Sequence, residues 1–158
     1  MRIVRRYMMR TLFIFLVLLV TGCDTINGVT RYTDTMPSAP SVKCVEEAIS
    51  SIEDVESVSY SLEEGGRPLT LHGIEKPDVV HRFWYEYKGI KGNVFFVVHY
   101  NGTAEYYHSY GCINCTPPQE LIDRLYPGMR AIDEAVKTRC GLASPLNERC
   151  QGVSCGGA

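Results

Sequence analysis

The sequence has no apolar run long enough to cross a membrane. Its longest, Leu12 to Val20, has nine residues, which at about 1.5 Å each covers less than half of a hydrocarbon core of about 30 Å. It has no surplus of positive charge either: 16 Lys and Arg stand against 18 Asp and Glu. With no basic stripe, nucleic acid is excluded as a partner. Histidine is scarce, at four residues, and the four do not assemble. His99 and His108 are expected on one sheet face but several positions apart, with His108 out of reach of Cys112, while His81 and Glu105 stand two strand spacings apart, about 10 Å. Neither a histidine metal centre nor an acid–base pair follows. Tryptophan occurs once, at Trp84.

What is present begins with an address. Arg2, Arg5, Arg6 and Arg10 precede the apolar run, which ends in Val20-Thr21-Gly22-Cys23. A basic start, a short apolar core and small residues before a cysteine make a signal peptide, and Thr21-Gly22-Cys23 resembles the lipobox of bacterial lipoproteins. The resemblance implies cleavage before Cys23, acylation of its thiol and anchoring in a bilayer, with covalent lipid as the only attached group and no cofactor. Asp24 resembles the signal that retains enterobacterial lipoproteins in the inner membrane, so a periplasm-facing, inner-membrane location is expected, with the outer membrane as the alternative. Cleavage leaves 136 residues, enough for one domain with a core. It removes four Arg and no acid, so 12 basic residues face 18 acidic ones and the net charge is −6.

In an oxidising compartment the other six cysteines, Cys44, Cys112, Cys115, Cys140, Cys150 and Cys155, predict up to three disulfides among about 15 possible connectivities. Cys112-Ile113-Asn114-Cys115 is a C-x-x-C before a helix start, where a helix dipole would stabilise a thiolate for exchange. An antiparallel meander precedes it, however, and not the βαβ context of thioredoxin-like proteins. Zinc binding by this motif with Cys150 and Cys155 competes with oxidation, and Thr116 stands where haem attachment needs His. Gly152 to Gly156 matches G-x-S-x-G, but no helix, Asp or His can follow it. The Asn101 sequon has no expected use in a bacterial lipoprotein.

Four segments are expected: a signal peptide (1–22), a lipidated flexible tether (23–40), a domain (41–140) and a cysteine-bearing tail (141–158). Val42, Val45, Ala48, Ile49 and Ile52 share a helical face starting at Ser41. Strands are expected at Glu56–Glu63, Pro68–Ile74, Val79–Tyr87, Asn93–Tyr100 and Thr103–Tyr110. Asn101-Gly102 reads as a two-residue hairpin turn, which sets Phe96 opposite Tyr107 and Phe95 opposite His108. A turn at Gly89-Ile90 sets Phe83 beside Phe96. One face then carries Val79, Phe83, Tyr85, Val94, Phe96, Val98 and Tyr107 as core; the other carries Arg82, Trp84, Glu86, Phe95, Val97, His99, Tyr106 and His108. Thr116 caps a last helix that Pro127-Gly128 should kink or break before Cys140-Gly141. The fold class is α+β: an antiparallel meander of about four to five strands on an N-terminal and a C-terminal helix, stapled by disulfides.

These residues point to a non-catalytic binding or accessory domain of the cell envelope. Arg82, Trp84 and Tyr106 are its expected contact with an envelope protein, peptide or glycan. The alternatives are a thiol-disulfide redox protein using Cys112 and Cys115, and, by analogy with other small disulfide-bonded lipoproteins, an inhibitor of an envelope hydrolase.

Overall fold

The computed structural model describes residues 25–64, 78–142 and 146–155. The expected signal peptide, Cys23, Asp24 and the Pro68–Ile74 strand candidate lie outside them. Strands β1 (Ile26–Tyr32), β2 (Val55–Glu64), β3 (Val79–Tyr87), β4 (Ile90–Val98), β5 (Ala104–Ile113) and β6 (Asn147–Gln151) alternate with helix α1 (Val42–Ser50) after β1 and helix α2 (Gln119–Cys140) after β5. All neighbours are antiparallel, in the order β2-β3-β4-β5-β1-β6. Six strands exceed the four to five expected, because the supposed tether and tail each supply one. β1 was obscured by its composition. Of its inward residues Asn27, Val29 and Arg31, only Val29 is apolar, so no hydrophobic alternation marks it.

Both helices cover one sheet face. Val45, Ala48 and Ile49 of α1 and Ile122, Leu125, Met129, Ile132 and Val136 of α2 are buried with Phe83, Val94, Phe96 and Tyr106. The Ser41 hydroxyl caps α1 by accepting from the Cys44 amide at 3.3 Å. α2 starts at Gln119 without a side-chain cap. Thr116, expected to cap it, accepts instead through its hydroxyl from the Asn27 side-chain Nδ2 at 3.3 Å. Pro127 does not break α2, which runs on to a left-handed Gly141. The proline lies on the solvent side, so the Asp123 carbonyl it leaves without an amide partner faces water. Next to it, Gly128 receives the Tyr87 ring: a Cβ there would stand 2.7 Å from its carbons. Gly128→Ala gains about 1 kcal/mol of helix propensity but overpacks that contact at a cost of about 1–3 kcal/mol. Urea titration is expected to show a net loss of stability.

The sheet register corrects the expected one. Lys88 and Gly89, with φ of 50° and 74°, form the two-residue turn joining β3 to β4, which sets Phe83 opposite Val94, not Phe96. Asn101-Gly102 belongs instead to a three-residue loop. His99 donates to the Thr103 carbonyl at 2.8 Å, Gly102 alone has positive φ, and the Asn101 carboxamide accepts from the Thr103 amide at 3.0 Å. The extra residue moves the β4–β5 pairing by one, so Phe96 faces Tyr106 and Phe95 faces Tyr107. A one-residue shift turns every β5 side chain over. Tyr106 and His108 therefore enter the core, and Tyr107 leaves it.

Candidate functional site

The face away from the helices carries a row of aromatic rings. Trp84 (47% exposed), Arg82, Phe95, Tyr107 and Tyr32 alternate outward on β3, β4, β5 and β1. The Arg82 guanidinium lies 5.5 Å from the Trp84 ring centre and 4.7 Å from that of Phe95. Phe95 stacks on Tyr107 at 5.0 Å, and Tyr107 on Tyr32 at 6.2 Å. Three strand spacings, about 14 Å, separate its ends. Beside it a shallow groove is lined by Thr30, Asn93, Ser109 and the two tyrosines and floored by Gly28 and Gly111. A Cβ at Gly28, whose φ is +149°, would overlap the Tyr110 carbonyl, so only glycine lets β1 and β5 approach this closely.

Electrically the face is balanced. The register assigns it Glu63, Glu86 and Glu105 against Arg82, Lys91 and Arg149. Arg82 pairs with Glu63 at 3.1 Å, and Glu86 stands opposite Lys91. Glu105 accepts from the Tyr107 hydroxyl at 2.5 Å; burial, with this bond, pushes that phenol up to about 12. What the face offers outward is ring surface, hydroxyls and amides.

Of the three residues expected to meet a partner, Arg82 and Trp84 stand on this face and Tyr106 does not. Tyr106 is fully buried on the helix side, where its hydroxyl donates to Asp133 at 2.5 Å. Asp133 also accepts from Arg31 and pairs with His108 Nδ1 at 2.7 Å. Tyr85 Oη lies 2.6 Å from His108 Nε2, and Arg31 continues to Glu148 at 2.8 Å. Burial pushes the Asp133 carboxyl up, but His108, Tyr106 and Arg31 together bring it below its ordinary value. Burial and the Asp133 charge push the Tyr85 and Tyr106 phenols up. The order carboxylate, imidazole, hydroxyl resembles a nucleophile-activating chain. With His108 and Tyr85 buried in the core, the chain ties α2 to β1, β3 and β5.

Two features hide this network in the sequence. A two-residue turn at Asn101-Gly102 would point His108 outward, and Asp133 is a lone acid in the apolar stripe of α2 between Met129 and Val136. Tyr32 and Tyr107 were missed for the outer face because one lay in the supposed tether and the other was assigned to the core.

The cysteines form three pairs at disulfide distance: Cys44–Cys140, Cys112–Cys115 and Cys150–Cys155, with Cα separations of 5.9, 5.6 and 5.5 Å. The first joins α1 to the end of α2. Cys112–Cys115 closes the turn after β5, where Cys115 is exposed; Thr116, Pro117 and Pro118 separate it from the first residue of α2. Glu148, Cys150 and Cys155 bring ligand atoms within 4.8 Å, but with the sulfurs paired only one carboxylate is left, too little for zinc. No described helix is long and apolar enough to cross a membrane. No protein-family model matches the chain, and neither does any curated protein or solved structure.

Proposed function

We propose that this chain is a lipid-anchored, periplasm-facing domain of the bacterial cell envelope, held by acyl chains on Cys23, that binds an envelope glycan without catalysis. The observation that carries this is the aromatic row from Trp84 to Tyr32 on a sheet face that no described helix covers. Stacked rings take the apolar faces of sugar rings, while Ser109, Thr30 and Asn93 beside them suit hydroxyl partners. The balance of charge supports a neutral ligand. A mature chain of net charge −6 presents three acids and three bases here, so the face attracts neither a polyanion nor a basic peptide. The lipobox residues and the even count of remaining cysteines support the compartment.

Trp84→Ala is expected to weaken retention of the mature protein on purified cell-wall glycan by about 2 kcal/mol, roughly 30-fold in affinity, as for an aromatic hot spot. Unchanged retention in a co-sedimentation titration would count against this face. Thiol-disulfide exchange through Cys112 and Cys115 is the second reading, favoured by the exposure of Cys115. Alkylation of both thiols after mild reduction, with the other two pairs intact, would support it.

A further inference from the structure

We propose that the domain docks directly on its membrane through the end where β1 starts and β5 stops, with Ile26 and Ile113 entering the lipid interface. The inference rests on acylation of Cys23 as proposed above. Its starting point is the shortness of the link. Thr25 is fixed to the folded body: its amide donates to the Asn114 side chain at 3.0 Å, and the Asn114 amide donates to the Thr25 carbonyl at 2.7 Å. Only Asp24 stands between Thr25 and Cys23, so the acylated residue lies within about 7 Å of that clamp. The expected tether of 23–40 is largely absorbed into β1 and the segment leading to α1. A body held this closely has to rest one particular end on the bilayer.

That end has the surface for it. Ile26 and Ile113 are partners across the β1–β5 pair and are 63% and 62% exposed. Three segments meet around them, and none contains a charged residue: 25–30, 109–119 and 150–155. The uncharged stretches stop at Arg31, Glu120 and Arg149. In a chain with 18 acidic residues, these three segments present no acid to an anionic bilayer, and the one acid beside the anchor is Asp24. The β3–β4 turn, which the register places at the same end, carries Lys88, paired with Asp54 at 3.1 Å, and is followed by Lys91. Exposed isoleucines in an uncharged setting beside an acyl anchor suit burial of about 5–10 Å into the headgroup and acyl boundary.

The docking places the aromatic row. Ser109 and Thr30, level with Trp84 across the sheet, stand four residues from Ile113 and Ile26, about 13 Å along the strands, and Tyr107 and Tyr32, level with Phe95, stand six residues away, about 20 Å. The ligand of the outer face is then met close to the bilayer surface.

The test uses the full precursor, processed in bacteria and reconstituted in phosphatidylethanolamine/phosphatidylglycerol vesicles containing brominated acyl chains. In a Trp84→Phe background, a single tryptophan is placed by Ile26→Trp, by Ile113→Trp or, as a control at another loop, by Tyr100→Trp (Tyr100 is 61% exposed). Far-ultraviolet spectra matching the parent show that each variant folds, and intact mass reports acylation. With acylation present, emission from positions 26 and 113 is expected to lose most of its intensity to the bromine and shift to the blue, while position 100 keeps its emission. Acylated protein in which positions 26 and 113 are quenched no more than position 100 overturns the docking, whatever else covers them. Mature protein without acyl mass overturns the anchor, and the docking with it.

Discussion

Replacing Asp133 by alanine is expected to lower the unfolding free energy by about 3–5 kcal/mol, a large part of the 5–15 kcal/mol typical of a domain. The substitution leaves the Arg31 guanidinium, the Tyr106 hydroxyl and His108 Nδ1 without their shared acceptor inside the core. Asp133→Asn keeps the volume but removes the charge, and is expected to fall between alanine and wild type. The network also predicts how stability follows pH. The carboxyl of Asp133 is held below its ordinary value, so its contribution is complete above the usual carboxylate range, about pH 4. It is lost as pH falls through the lowered folded value. The phenols of Tyr85 and Tyr106 are raised, so their contribution is complete below about pH 10 and declines above it, where the unfolded chain ionises first. Urea midpoints across this range are expected to form a plateau with two falling edges. In Asp133→Asn the acid edge should flatten; an unaltered acid edge would assign it to other carboxylates.

The second large effect belongs to one of the three cysteine pairs. Cys44 and Cys140 are 96 residues apart, and a cross-link closing a loop of that size removes about 4.7 kcal/mol of chain entropy from the unfolded state. Cys112–Cys115 and Cys150–Cys155 close loops with separations of 3 and 5 residues and are worth about 2 kcal/mol each on the same reasoning. The double substitution Cys44→Ala/Cys140→Ala is therefore expected to destabilise more than either of the other double substitutions. Thermal unfolding of the three oxidised proteins checks the order. A smaller loss for Cys44/Cys140 than for the others would mean that α1 and α2 are held together in the unfolded chain by something else.

How far the sequence foretold this molecule follows from which signals were local. Val79–Tyr87 coincides with β3 because alternation and a turn bound it at its end. α1 was expected from its period, beginning at Ser41. The two hairpins were misassigned because turn type depends on backbone geometry that residue names only bias. Asn101-Gly102 looked like the two-residue turn, yet Lys88-Gly89 adopted it, and the single shift exchanged the faces of Tyr106, Tyr107 and His108. β1 and β6 were invisible because strands that carry an ion pair and a disulfide cysteine in place of a hydrophobic row have no period to detect. Of the expected contact residues Arg82 and Trp84 reached the open face, on β3, where the register error did not change sides. Tyr106 was expected on that face through the misassigned β5.

The central claim is that the open face of the sheet is where this domain meets its ligand. Its only tryptophan stands there, so the emission of Trp84 in the wild-type mature protein reports on that face alone. Titration with soluble cell-wall glycan fragments is expected to change the emission saturably, with a blue shift as a sugar ring displaces water. Binding detected by calorimetry with no change in Trp84 emission would contradict the account.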